Sequence, residues 1–155
     1  ILLVYIVLLL NTPSSFNISN NEMIFDMSDT GFVTVDPEMN ENDLTLTGNC
    51  RKLTFTVSEH QALSIKTGID EEYYIRPLTH DIMNDMFENF NIELLQAKID
   101  SFSNGIYNAK IQVKKDNKIL EIDTRPTDAI GMAVRMNIPI LFNQELLDLN
   151  GEKIC

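Results

Sequence analysis

The sequence predicts an α+β domain: a mixed, largely antiparallel sheet with about three helices packed on it. Three observations predict it. Residues 23–57 alternate apolar and polar side chains with period two and are rich in Thr and aromatics. Residues 92–123 repeat that alternation between Asn-Gly and Asp-Asn breaks. Apolar stripes at helical spacing follow Thr79 and Thr127. With 155 residues the chain has room for one domain.

The elements follow in order. Residues 1–10, ILLVYIVLLL, are continuously apolar and lead into the polar stretch NTPSSFNISNN. Ten residues span about 15 Å as a helix, roughly half a bilayer's hydrocarbon core. Residues 1–21 are therefore set apart, either as the tail of a signal or membrane anchor with its linker or as a buried strand. The domain is expected over 22–150. Phe32–Asp36, Leu44–Thr47 and Leu53–Val57 read as strands, with Asp36-Pro37 and Gly48-Asn49 as turns. Ser58-Glu59-His60-Gln61 has the form of a capping box, opening a helix with Ala62, Leu63 and Ile65 on its apolar side and Gly68 as a stop.

Glu72–Arg76 reads as a short strand ended by Pro77. Thr79 then caps a helix whose stripe is Ile82, Met83, Met86, Phe87 and Phe90. A meander follows. Its first strand carries Leu95, Ala97 and Ile99, its second Tyr107, Ala109, Ile111 and Val113, and its third Leu120 and Ile122. Thr127 is expected to cap a helix through Ala129, Ile130, Ala133 and Val134. A strand over Ile138–Phe142 and a terminal helix beginning at Asn143 close the chain.

Charge and cysteine content narrow the function classes. Twelve basic residues against 23 acidic give a net charge of −11. That argues against a protein that holds nucleic acid by bulk charge. All the basic residues lie after residue 50. Cys50 and Cys155 are too few for a disulfide scaffold, and no Cys/His cluster suggests zinc. The basic cluster of Lys110, Lys114, Lys115 and Lys118 falls on one hairpin. It reads either as an ordinary solvated face or as a backbone track, with Tyr73, Tyr74 or Tyr107 available for stacking.

Two segments echo each other: Ile75-Arg76-Pro77-Leu78-Thr79-His80-Asp81-Ile82 and Thr124-Arg125-Pro126-Thr127-Asp128-Ala129-Ile130. In each, a strand is expected to end in Arg-Pro, with a helix opening behind it and an Asp in its first turn. Proline extends the residue before it. A guanidinium beside a helix N-terminus suits a phosphate or carboxylate. The bland alternative is that each Arg pairs with a neighbouring Asp and pins the corner. Two such corners also suggest a pseudo-repeated arrangement.

Those two motifs, joined by Gly105-Ile-Tyr-Asn-Ala-Lys-Ile and followed by Ile138-Pro-Ile, closely resemble the bifunctional nuclease domain family. The likeness runs from about Arg76 to Leu147. Upstream, Ser58-Glu-His-Gln-Ala-Leu-Ser-Ile looks like the family's Glu-Ala-x-Ala-Ile helix, with Glu59 on the matching glutamate. The resemblance implies combined DNase and RNase activity, nucleic acid as substrate and a cytoplasmic location. An apolar N-terminal anchor would imply export or membrane attachment instead.

The family motifs supply the residues, and phosphodiester chemistry suggests their roles. Glu59, His80, Asp123 and Asp128 are the catalytic candidates, His80 because its ordinary pKa near 6.5 suits proton transfer. Arg76 and Arg125 would clamp the phosphate, with Lys110 and Lys114 along the backbone. Glu59, Asp81, Asp123 and Asp128 are the candidate ligands for Mg²⁺ or Mn²⁺. His60 reads as a helix-surface residue. Binding is expected to be weak and salt-dependent given the acidity. A homo-oligomer is expected as well, since exposed sheet edges invite pairing. The competing reading is a non-catalytic anion-binding or interaction domain on the same scaffold. A nuclease should gather these groups around one open cleft, whereas a binding module could close them into salt bridges.

Overall fold

The computed structural model describes residues 30–155. The expectations for the apolar start, its linker and Met23–Asp29 lie outside the described residues. Strands β1 (Phe32–Asn40), β2 (Asp43–Gly48) and β3 (Arg51–Thr56) come first, then helices α1 (Glu59–Ile69) and α2 (Thr79–Asn89). Strands β4 (Glu93–Ser103), β5 (Ile106–Lys115) and β6 (Lys118–Thr124) form the meander and lead into α3 (Pro126–Met136). Strand β7 (Ile140–Asn143), helix α4 (Gln144–Asn150) and the two-residue β8 (Glu152–Lys153) complete the chain.

The strands form one sheet in the order β6-β5-β4-β7-β1-β2-β3-β8. Every pairing is antiparallel except β4 with β7. This is the expected α+β architecture. Two-residue turns set the registers. Asn49 and Cys50 both have positive φ, as do Asn104 and Gly105, the backbone that tight hairpins favour.

Register fixes which side chains meet the helices. Ala97 stands opposite Ile111 and Ile140, and Ile99 opposite Ala109 and Phe142. All six are buried and pack with Ile65, Ala129, Ile130 and Ala133 of the helices. The alternate positions face the other way: Lys98 opposite Lys110, and Lys110 opposite Asp123. On that outer face Gln96 and Gln112 are buried and hydrogen-bonded to each other.

Several sequence expectations are corrected. Glu72–Arg76 is not a strand but an exposed segment between α1 and α2, so only the second Arg-Pro corner joins a strand to a helix. Asp36-Pro37 is not a turn. It lies inside β1, paired with Thr47 and Leu46, because the alternation continues through it. Leu78, not Thr79, is the N-cap of α2, and Arg125, not Thr127, is the N-cap of α3. Pro126 takes the first helical position, where its fixed φ and missing N–H cost nothing. In β4 an irregularity between Leu94 and Gln96 shifts the register, so Leu94 faces Val113 in the core in place of Leu95. Strand β7 starts at Ile140, two residues later than expected.

The stripe on α2 divides. Met83 and Phe87 pack against the core, whereas Ile82, Met86 and Phe90 are exposed. Tyr107 is not available for stacking, since Phe55, Phe102 and Phe142 surround its ring. Cys50 and Cys155 form a disulfide that ties the β2–β3 turn to the chain beyond β8. Among the described residues no helix is long and apolar enough to cross a membrane.

Candidate active site

The site forms where α1, α2 and the β6–α3 corner meet. The Ser58 capping box forms as expected: the Ser58 hydroxyl accepts from the Gln61 amide at 3.4 Å, and Gln61 Oε1 accepts from Ser58 N at 3.1 Å. This orients Gln61, whose Nε2 donates to Thr127 Oγ1 at 2.9 Å and joins α1 to the first turn of α3. At the start of α2, Asp81 Oδ2 accepts from the Leu78 amide at 2.7 Å. That half of a capping box aims His80 inward.

His80 is the centre. Its Nδ1 lies 2.7 Å from Ser64 Oγ, and its Nε2 lies 3.5 Å from Asp128 Oδ1. Asp128 also receives Arg125 bidentately, Nε at 2.6 Å and Nη2 at 3.0 Å. One carboxylate thus bridges an imidazole and a guanidinium. The backbone amides of Asp128 and Ala129 both turn back to the Arg125 carbonyl, and Pro126 has no N–H. This corner therefore offers fewer first-turn amides to an anion than its sequence suggests, and the guanidinium is its most exposed donor. Arg125 is 71% exposed, so its three remaining N–H donors reach solvent.

A cleft of about 530 Å³ opens here, lined by His60, Ser64, His80, Thr124, Arg125 and Asp128 among others. Burial, and next the Arg135 guanidinium, hold the His80 imidazole below its ordinary pKa; Asp128 and Asp81 oppose them only in part. His80 is therefore neutral at pH 7.

Behind His80 lies a buried ion pair. Arg135 Nε donates to Asp81 Oδ1 at 2.6 Å, with the side chains 6% and 12% exposed. Arg135 also donates to Gly131 O at 2.9 Å, Thr67 Oγ1 at 3.2 Å and Ser64 Oγ at 3.4 Å. It ties the three helices together.

Of the residues selected from sequence, the structure brings His80, Asp128 and Arg125 together. Asp81 stands behind them, both its oxygens engaged. Glu59 is exposed at the start of α1 and does not line the cleft. Asp123 shares the outer face with Lys110, because it alternates with Ile122, which stands opposite the core residue Ile111. Lys110 is held by Glu121 at 2.9 Å and Asp100 at 3.4 Å, and Lys114 lies 3.9 Å from Glu93. Both lysines are on the far side of the sheet from the helices. Arg76 is on the exposed segment before α2, beside Tyr73 and Ile75, which are 91% and 94% exposed. The four carboxylates named as cation ligands do not meet, and no group of three or more metal-ligating side chains occurs among the described residues.

The sequence reading gives Gln61 only its place in the capping box and assigns no role to Ser64, Gly131 or Arg135. Asp128, Gly131 and Arg135 fall at i, i+3 and i+7 of one helix, a spacing that puts them on one face. That was the available signal.

A profile of the bifunctional nuclease domain matches residues 44–154, which include every residue of this site. The chain belongs to the bifunctional nuclease domain family. Bifunctional nuclease 2 of Arabidopsis thaliana is 24% identical over 105 residues, covering 66% of this chain and 32% of that protein. Bifunctional nuclease 1 of Oryza sativa subsp. japonica is 24% identical over 82 residues, covering 51% of this chain and 25% of that one. An uncharacterised protein of Mycobacterium tuberculosis (strain CDC 1551 / Oshkosh) is 26% identical over 76 residues, 49% of this chain and 44% of its own length. The matched segment spans less than half the length of each of these relatives. The bifunctional nuclease domain here thus carries its His, Asp and Arg in one open cleft.

Proposed function

We propose that this bifunctional nuclease domain hydrolyses phosphodiester bonds of DNA or RNA in the His80–Asp128–Arg125 cleft. The observation that carries the reading is Asp128, bridging the solvent-facing Arg125 and the half-buried His80. Free N–H donors of Arg125 hold a non-bridging phosphate oxygen and offset charge as it grows in the transition state. Asp128 and His80 handle the protons: one is lost by the attacking water, and one is gained by the oxygen that leaves phosphorus. Arg76, exposed two residues before Leu78 of the cleft lining, offers a second guanidinium to a strand that extends beyond the cleft.

Among the described residues, the candidate carboxylates do not gather into a Mg²⁺ or Mn²⁺ site of their own. Asp128 faces Arg125 with both oxygens, and Asp81 is engaged by Arg135 and Leu78. No step here is routed through a cation.

The test is cleavage of plasmid and RNA by the wild-type chain, His80→Ala, Arg125→Ala and Lys110→Ala, with Mg²⁺, with Mn²⁺ and with chelator. The reading predicts losses of about 10²-fold or more for the first two variants. Lys110→Ala should cleave at the wild-type rate. Equal cleavage by all four locates the activity elsewhere. No cleavage by wild type under any condition supports the anion-binding module, a reading that the closed Asp81–Arg135 pair favours.

A further inference from the structure

We infer that Arg135 and Ser64 fix His80 in the tautomer protonated on Nε2, which makes Asp128 the proton acceptor of the site and His80 its hydrogen-bond donor. The division of labour rests on the hydrolytic reading above. The tautomer itself does not.

The argument runs from donors and acceptors. Arg135 has five N–H donors and no acceptor. Its Nη2 lies 3.4 Å from Ser64 Oγ, so Ser64 meets Arg135 only as an acceptor. The hydroxyl hydrogen of Ser64 points elsewhere, and His80 Nδ1 lies 2.7 Å away. The neighbouring hydroxyl of Thr67 offers no competing acceptor: it turns to Leu63 O at 3.0 Å and Ser64 O at 3.1 Å, and it also receives Arg135. Donation to Nδ1 gives that hydrogen its acceptor, whereas accepting from Nδ1 would leave it with none, so the arrangement calls for a lone pair on Nδ1. The proton of the neutral ring is on Nε2.

The other side of the ring gives the same answer. Nε2 faces Asp128 Oδ1 at 3.5 Å. A carboxylate oxygen is an acceptor, so a protonated Nε2 is attracted to it and a bare one is repelled. The opposite tautomer would leave the Ser64 hydrogen without an acceptor in the site and set a bare Nε2 lone pair against a carboxylate. Both ends of the imidazole reject it.

Arg135 is placed for this by groups that do not touch the cleft. Asp81 takes its Nε, and the Gly131 carbonyl takes Nη1. The charged groups around His80 are Arg135 and Asp128 of α3, Arg125 at its cap, and Asp81 of α2 itself. From α1 come Ser64 and, lining the same cleft, His60.

The chemical consequence is specific. A neutral imidazole with its proton on Nε2 has no lone pair there to take a proton from water. Asp128 has one. His80 then donates a hydrogen bond from Nε2 to the phosphate or to Asp128, the proton that Asp128 takes from water passes on to the leaving oxygen, and Arg135 and Ser64 are positioning residues that act through His80.

The test is a nitrogen–proton correlation spectrum of the full chain labelled at histidine, with His60→Gln used to assign the two rings. The inference predicts a single His80 tautomer with its proton on Nε2 at pH 7, and a mixture of tautomers in Ser64→Ala. Arg135→Lys, which keeps the charge but loses the fork, should also give a mixture. A wild-type His80 protonated on Nδ1, or a Ser64→Ala spectrum unchanged from wild type, overturns it. The roles are read separately by cleavage. His80→Gln keeps an amide donor and should lose about tenfold or less, whereas Asp128→Asn should lose about 10²-fold or more. Equal losses in the two overturn the division of labour. If the tautomer is as stated but neither substitution alters cleavage, the hydrolytic reading fails and the tautomer assignment survives.

Discussion

The His80 ring lies against Gly131 so closely that a methyl group at 131 would meet its Cε1 and Nδ1 at 3.0 Å. The ring therefore occupies the space that the missing side chain leaves on α3. Gly131→Ala is expected to displace it by a few tenths of an ångström. Overpacking of this kind costs roughly 1–3 kcal/mol. Chemical denaturation should show that loss, and cleavage should fall while the fold is kept. Unchanged stability together with unchanged cleavage would mean that the contact is not tight.

Asp81 and Arg135 form the buried pair behind the ring. Burial alone would raise the Asp81 carboxyl, but Arg135 and the Leu78 amide together hold it below its ordinary value. The stabilisation is thus present above the unfolded pKa near 4 and is lost as pH falls through the lower folded value. Asp81→Asn should lower stability at pH 7 by about 3–5 kcal/mol, because it leaves Arg135 buried and unpaired. It should also flatten the acid limb of a stability–pH curve. An acid limb identical to that of wild type would place the pair outside the cooperative core.

His80 gives a pH dependence of its own. With its folded pKa depressed, mainly by burial, the unfolded chain takes up a proton near pH 6.5 while the folded one does not. Stability should therefore fall as pH drops from about 6.5 toward the folded value, then level off. Urea midpoints between about pH 7.5 and 5 should decline more steeply for wild type than for His80→Gln. Parallel curves would mean that His80 titrates as it does in the unfolded chain.

The disulfide joins residues 105 apart in sequence. Disulfides are typically worth about 2–4 kcal/mol, and loop entropy for a ring of this length comes to about 4.7 kcal/mol. Reduction, or Cys50→Ser, should lower the melting temperature. The His80 spectrum should be unaffected, since Cys50 is not among the residues that line the cleft. A His80 tautomer that changes on reduction would show that the site depends on the closed ring.

Much of the fold was legible because period two and tight turns are local properties. Asn104-Gly105 announces its hairpin, and Ala109, Ile111 and Val113 announce a buried face. The strand expected at Glu72–Arg76 failed for a physical reason. Tyr73, Tyr74 and Ile75 have strand propensity, but among the described residues no strand pairs with them. Leu95 was misplaced because the irregularity between Leu94 and Gln96 breaks the alternation in β4, so that Leu94 and Ala97, three positions apart, share the core face. In the site, the motifs identified His80, Arg125 and Asp128. They could not show that Arg135 reaches back across three helices to Ser64 and Asp81. Nor could they show that Asp123, two positions before Arg125, faces away from it.

Cleavage by Asp128→Asn measured beside Asp123→Asn tests the central claim most directly. Both residues belong to one motif and carry one charge, and only Asp128 lines the cleft. The account predicts a loss of about 10²-fold or more for Asp128→Asn and a rate within about twofold of wild type for Asp123→Asn. An equal loss in both, or a loss confined to Asp123→Asn, would contradict it.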